Sequence, residues 1–171
     1  MKHYFDTFPT PLGDFSVALD ETGAVVATAF GGAAQLRQRF KSKALVRDPK
    51  RAGEVRREIE EFLEGDRREF SLKLAPEGTA FQKRVWSALR NIPFGETRSY
   101  GQLAAELGSP GAARAVGRAN AANPICLLVP CHRVVGADGS LTGFAFGVDL
   151  KRRLLELEGA KQTICLFLAP R

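Results

Sequence analysis

The chain has little of what metal sites, disulfide frameworks and membrane spans are made from. Three cysteines and two histidines, His3 and His132, are scattered through 171 residues. There is no CxxC pair and the histidines are too few for most zinc sites, so no structural metal is expected. An odd number of cysteines at unrelated spacings argues against a disulfide framework and for a reducing, cytoplasmic setting. No apolar run approaches the roughly 20 residues that span a bilayer. The opening Met1-Lys2-His3-Tyr4-Phe5-Asp6 has no signal-peptide core. What remains, 44% hydrophobic and 26% charged, is the composition of a soluble globular protein. Its length fits one large domain or two small ones.

The charge is unevenly placed. Residues 1–78 carry 13 basic and 13 acidic side chains, whereas residues 79–160 carry 10 basic and 6 acidic. The basic excess points to a polyanion partner for the second half.

The first third reads as sheet. Thr10-Pro11-Leu12-Gly13 and Asp20-Glu21-Thr22-Gly23 are turns. Between them Phe15, Val17 and Leu19 alternate inward, and residues 24–30 supply a hairpin partner. Residues 33–40 fit a short helix. Val55, Ile59, Phe62 and Leu63 recur at helical spacing up to Gly65. Phe70 to Leu74 alternates again and is expected to be a strand. These residues read as a scaffold domain, 1–77.

From residue 78 the pattern becomes helical. Thr79 with Gln82, and Ser99 with Gln102, are capping boxes. Phe81, Val85, Trp86 and Leu89 form one apolar stripe. A helix through Leu103 and Leu107 ends at Gly108, and Ser109-Pro110 is expected to open another that runs to about Ala121. Together they read as a helix-turn-helix. The second helix, Ala112 to Ala122, is nearly all small residues, with Arg114 and Arg118 one turn apart. Such a helix can lie against a narrow surface such as a DNA minor groove. It equally fits a tightly packed internal helix. Residues 151–158 fit a last helix, and Glu158 at its unfavourable C-terminal end either has a specific partner or is exposed. The apolar tail from Ile164 to Leu168 fits a strand.

Ile125 to Val135 is the chain's organising stretch, an apolar run interrupted only by Cys131-His132-Arg133. Its β-branched content predicts a buried strand or extended stem, and a buried polar triplet is costly unless partners surround it. Pro130 fixes φ before the cysteine. Cys131 is therefore either a reactive thiol beside an imidazole or one more buried cysteine. Cys126, among Ile and Leu, is expected to be inert.

These blocks closely resemble the O6-alkylguanine-DNA alkyltransferases. Phe81-Gln82, Val85-Trp86, Ile92 through Thr97, Ser99-Tyr100-Gly101, Ala112 through Gly117, Asn123-Pro124, Pro130 through Val135, Gly143-Phe144, Lys151 and Leu154-Leu155 through Glu158-Gly159 match the family in order. The resemblance implies an α+β protein. It consists of an N-terminal ribonuclease-H-like antiparallel sheet domain (1–77) and a mostly helical, winged-helix-like helix-turn-helix domain (78–171). The implied activity is transfer of the O6-alkyl group of guanine in duplex DNA to Cys131, once, by a monomer without cofactor, metal or membrane partner. His132 is implied as the base, acting through a water and oriented by Glu158, while Asn123 braces the turn. Tyr100 helps rotate the phosphate and donates to the base. Arg114 fills the space of the flipped nucleotide, and Arg118, Ala113 and Gly117 complete the DNA-facing helix. Val134, Phe144, Ala145, Phe146, Lys151 and Trp86 are the implied pocket.

The chemistry agrees with these roles. A guanine O6 inside a duplex must be flipped out to be attacked. Attack on an alkyl carbon requires a soft nucleophile, and burial disfavours a thiolate unless a base is adjacent. Two departures stand out. Phe144 replaces a common Tyr, and bulky Phe146 stands where a small residue or Trp is usual. Competing readings are a catalytically silent alkylated-base binder, a Cys-His hydrolase and a transcriptional regulator. The first would have lost the acceptor cysteine, the second needs an oxyanion hole, and the third leaves Cys131-His132 unexplained.

Overall fold

The computed structural model describes residues 1–42 and 44–160, so the expected 164–168 strand lies outside the described residues. The chain divides into two compact units, residues 1–77 with 124–126, and residues 78–123 with 127 onward. A single boundary after residue 77 misses this three-residue return.

The first unit is built on a four-stranded sheet of order β3-β2-β1-β4. Strands β1 (His3–Phe8), β2 (Phe15–Leu19) and β3 (Val25–Phe30) are antiparallel. The short β4 (Leu45–Arg47) runs parallel to β1, so the sheet is not wholly antiparallel. The first hairpin closes with paired 3.0 Å bonds between Thr10 and Gly13, the latter at φ +97°. Asp20 holds the second by accepting from the Thr22 and Ala24 amides. Alternation in β2 was expected to bury one face, but every residue from Phe15 to Leu19 is buried. The strand is central and helix α1 (Ala33–Arg39) packs on β2 and β3. Ser16 tolerates this by bonding Thr7 Oγ1 and donating to Gly31 O, both at 2.7 Å.

Helix α2 (Gly53–Leu63) buries the expected Val55, Ile59, Phe62 and Leu63, and also Glu58. Glu58 explains why residues 70–74 do not form the expected strand. Its carboxylate accepts from the Ser71 amide at 2.9 Å and pairs with Arg67 at 3.3 Å, which pulls the segment onto the helix. Only Leu74 bridges to Val25, flanked by 2.8 Å bonds between Val25 N and Lys73 O and between Ala75 N and Val25 O. Cys126 joins this unit through Thr28, whose hydroxyl donates to Cys126 O at 2.7 Å. The same hydroxyl lies 3.2 Å from the Cys126 sulfur.

The second unit contains α3 (Ala80–Arg90), α4 (Tyr100–Glu106), α5 (Ala113–Ala121) and α6 (Val148–Leu157), with β5 (Arg98–Ser99) paired in parallel with β6 (Val134–Val135). Both capping boxes form, at Thr79 with Gln82 and at Ser99 with Gln102. The expected α3 stripe is buried at Val85, Trp86 and Leu89, while Phe81 is half-buried. Helix α5 starts at Ala113 rather than Pro110. Residues 109–112 form a turn closed by Ala112 N donating to Ser109 O at 2.8 Å, and Ser109 caps nothing. Helix α5 packs on both α3 and α4.

The stretch 125–135 is not the extended stem that its composition predicts. Leu127 at φ +73° breaks it, and Cys131–Arg133 wind into a single 3-10 turn before β6. No helix among the described residues is long and apolar enough to cross a membrane.

Candidate active site around Cys131

Residues 127–135 carry one turn held by several contacts. Cys131, only 6% exposed, opens the 3-10 turn, and its amide donates back to Val129 O at 2.7 Å. The C-terminal end of α5 braces the approach. Asn123 Nδ2 donates to Val129 O at 2.9 Å, and Asn120 Nδ2 reaches the Cys131 carbonyl at 3.4 Å. The sequence reading had identified Asn123 but not Asn120, which lies hidden in a run of small residues.

The next residue, His132, is fully buried, and its Nε2 lies 2.7 Å from Glu158 Oε2. Arg133 then engages the same carboxylate through a two-pronged fork, Nε to Oε1 at 2.8 Å and Nη2 to Oε2 at 2.9 Å. Its third nitrogen, Nη1, donates to Ile92 O at 2.7 Å, and Phe94 lies 5.9 Å from the guanidinium. Burial works to raise the Glu158 carboxyl. The charge and hydrogen bonds of His132 and Arg133 outweigh it and hold the group at about 2. Glu158 is thus ionised, so His132 Nε2 carries the hydrogen and donates it. In the neutral imidazole Nδ1 is then the unprotonated nitrogen, and it has no hydrogen-bond partner among the described residues. The sequence marks Arg133 as a member of a buried polar triplet that needs partners, but the identity of its partner, Glu158, was missed.

Glu158 sits just past α6, where a carboxylate is disfavoured by the helix dipole. Its partners resolve the alternatives left by the sequence in favour of a specific site. Gly95, at φ +84°, turns residues 93–96 beside it, and a Cβ there would come within 3.1 Å of Glu158 O. Only glycine combines that φ with that closeness.

Lys151 is also fully buried, with Nζ donating to Thr142 O at 2.9 Å. Burial pushes its ammonium down to about 8, against an opposing attraction to a Cys131 thiolate. A cation is thereby held within electrostatic reach of the acceptor sulfur. Phe144 and Phe146, both half-buried, meet edge to face at 5.7 Å, while Ala145 between them is exposed. Val134 is buried in β6 directly after the turn. Trp86, the last of the expected pocket residues, is buried in α3. It is 2% exposed and its indole donates to Ala119 O at 2.8 Å, tying α3 to α5. That bond belongs to the helix packing, and α3 also packs against the turn that carries Cys131.

On α5, Val116, Ala119 and Asn120 are buried, Ala113 and Gly117 are half-buried, and Arg114 and Arg118 are exposed. The small-residue helix is therefore packed on one side and open on the other, with both arginines on the open side. Tyr100, first residue of α4, lies beside Gly117. Its phenol oxygen accepts from Thr142 Oγ1 at 2.9 Å.

Comparison with known proteins agrees with this geometry. Residues 80–160 match the family model described as 6-O-methylguanine DNA methyltransferase, DNA binding domain. A methylated-DNA–protein-cysteine methyltransferase of Methanosarcina acetivorans is 45% identical over 157 residues, covering 92% of this chain and 99% of the relative. Among solved structures, Mycobacterium tuberculosis OGT in complex with DNA superposes with a TM-score of 0.83 at 39% identity, over 96% of this chain and 99% of that one. The O6-methylguanine-DNA methyltransferase of Pyrococcus kodakaraensis gives a TM-score of 0.61 at 28% identity, over 92% and 99%. A buried cysteine followed by an oriented imidazole, in a chain that aligns with such relatives over nearly its whole length, identifies it: the chain belongs to the methylated-DNA–protein-cysteine methyltransferase family.

Proposed function

We propose that this protein repairs duplex DNA by moving the alkyl group of O6-alkylguanine onto Cys131 in one irreversible step. The observation that carries the reading is the buried His132–Glu158–Arg133 cluster, which engages His132 Nε2 and leaves Nδ1, in the residue after Cys131, without a partner among the described residues. Through an intervening water, Nδ1 takes the thiol proton. Sγ attacks the alkyl carbon and the carbon–O6 bond breaks. The electron pair departs with the purine, which Tyr100 stabilises by donating a hydrogen bond. Lys151 stabilises the thiolate. The product is a thioether, which offers no route back to the thiol.

DNA enters through the second unit, where α4 and α5 act as a helix-turn-helix of winged-helix type in the minor groove. Arg114 takes the place of the flipped nucleotide, with Arg118, Ala113 and Gly117 along the same helix. The alkyl group is received by Val134, Phe144, Ala145 and Phe146. The strand order β3-β2-β1-β4, with a parallel fourth strand after three antiparallel ones, supports a ribonuclease-H-like first unit. The protein acts as a monomer in the reducing cytoplasm, where its acceptor thiol survives.

Intact mass after incubation with duplex DNA containing O6-methylguanine tests the reading. One added methyl, located on Cys131 and absent in Cys131→Ala, is the expected result. Repeated turnover with excess substrate, or no gain in mass, overturns it.

A further inference from the structure

The proposed mechanism asks Tyr100 for a proton-donating hydroxyl, and the structure shows how such a hydroxyl is set up. Thr142 has two roles at once. Its main-chain oxygen accepts from buried Lys151 Nζ at 2.9 Å, which fixes the residue in space. Its side-chain hydroxyl donates to the Tyr100 phenol oxygen at 2.9 Å. A Cβ at Gly117 would come to 3.7 Å from Tyr100 Cδ1 and 3.8 Å from Cε1, so the α5 backbone runs close alongside the ring. The phenol is held at its body by Gly117 and at its tip by Thr142.

The direction of the Thr142 bond matters. A phenol oxygen has one proton and two lone pairs. Thr142 fills a lone pair and leaves the phenol proton unspent. Donation to the oxygen also polarises the O–H bond and strengthens the bond that this proton makes next. We infer that Thr142 is a positioning residue for alkyl transfer, holding Tyr100 and sharpening its hydroxyl as a donor to the departing purine. This rests on the reading of Tyr100 given above. In the balanced step the S–C bond forms as the C–O6 bond breaks. The pair on the purine draws on the Tyr100 proton, and the phenol oxygen shares the load with the Thr142 hydroxyl.

The test is single-turnover methyl transfer from duplex O6-methylguanine by wild type, Thr142→Val, Thr142→Ser, Tyr100→Phe and the Tyr100→Phe/Thr142→Val double variant, with the affinity for the same duplex measured separately. Valine keeps the shape and the main-chain oxygen, so the Lys151 contact stays. The Thr142→Val rate at saturation falls by about 3- to 10-fold, the range of one hydrogen bond, with little change in affinity. Thr142→Ser recovers most of the loss. In the Tyr100→Phe background, Thr142→Val costs nothing further, because the group it acts through is gone. A Thr142→Val rate equal to wild type overturns the inference, as does an equal loss with and without the Tyr100 hydroxyl. Failure of wild type itself to methylate Cys131 would instead overturn the repair reading.

Discussion

Replacing Glu158 by Gln tests the centre of the proposed mechanism, and the structure sets the size of the effect twice. The carboxylate holds three donors, one from His132 and two from Arg133. A glutamine has one acceptor oxygen, so it cannot serve all three, and its NH2 group must face a donor. The stability cost follows from stranding Arg133, whose side chain is 8% exposed, without its counter-ion. Breaking a buried pair this way costs about 3–5 kcal/mol, or roughly 10 °C in melting temperature at this chain length. The depressed pKa of the carboxyl, which arises from the same contacts, gives a comparable figure. The carboxyl titrates at about 2 instead of 4.5, and at about 1.4 kcal/mol per pH unit this is roughly 3 kcal/mol of native-state stabilisation. Because the folded value is depressed, that contribution is complete above pH 4.5 and is lost as pH falls through 2. Urea unfolding of wild type followed down this window should show the loss, and Glu158→Gln should lack it. The rate is the second readout. Without a carboxylate to fix the hydrogen on Nε2, His132 no longer presents an unprotonated Nδ1, and losing a positioned base slows a step by about 10²–10⁴-fold. Methyl transfer to Cys131, timed by rapid quench and intact mass at a temperature where the variant is folded, measures it. A folded Glu158→Gln protein that transfers methyl within about threefold of wild type would refute the assignment of His132 as an oriented base.

Arg114→Ala should slow repair in duplex DNA far more than it slows reaction with free O6-alkylguanine, since only the duplex requires flipping, and equal losses on both would contradict its role. Phe146→Gly is expected to speed inactivation by O6-benzylguanine by about 5- to 150-fold, the rate equivalent of 1–3 kcal/mol of strain, while methyl transfer changes little. The Phe144 ring at 5.7 Å braces Phe146 in wild type. A wild type inactivated by benzylguanine as fast as the variant would end the narrow-pocket idea. For Lys151, the depressed value of about 8 means that between pH 8 and 10.5 the unfolded chain holds a proton the folded chain has released. Stability should rise across that window by about 3 kcal/mol relative to Lys151→Met, and parallel pH profiles for the two proteins would refute it.

How far the sequence could be read depended on whether an interaction is local in the chain. Both capping boxes were legible because their partners stand three residues apart, at Thr79 with Gln82 and Ser99 with Gln102. The α2 stripe was legible by its period. The β4 strand is three residues long and takes its pairing from β1, some 40 positions earlier in the chain, so nothing in Leu45-Val46-Arg47 announces it. Residues 70–74 alternate like a strand but are taken over by Glu58, a charge buried on the inner side of a helix. In both places a long-range partner decided the outcome over local pattern.

The same division runs through the site, and it shows where the chemistry is built. The Cys131-His132 pair is visible as a break in an apolar run, because polar residues there need an explanation. What makes the pair usable lies elsewhere in the chain and is invisible to spacing. The carboxylate at Glu158 stands 26 residues from His132, and the Ile92 carbonyl on Arg133 stands 41 away. Arg133 illustrates the point best. In the sequence it is the third member of a polar triplet in an apolar run, and nothing near it names its partner. In the fold its guanidinium turns inward and pairs with the Glu158 carboxylate that also holds His132. The basic excess of residues 79–160 is therefore not all available to DNA, and the arginines left exposed on α5, Arg114 and Arg118, are the ones whose removal should flatten the salt dependence of binding.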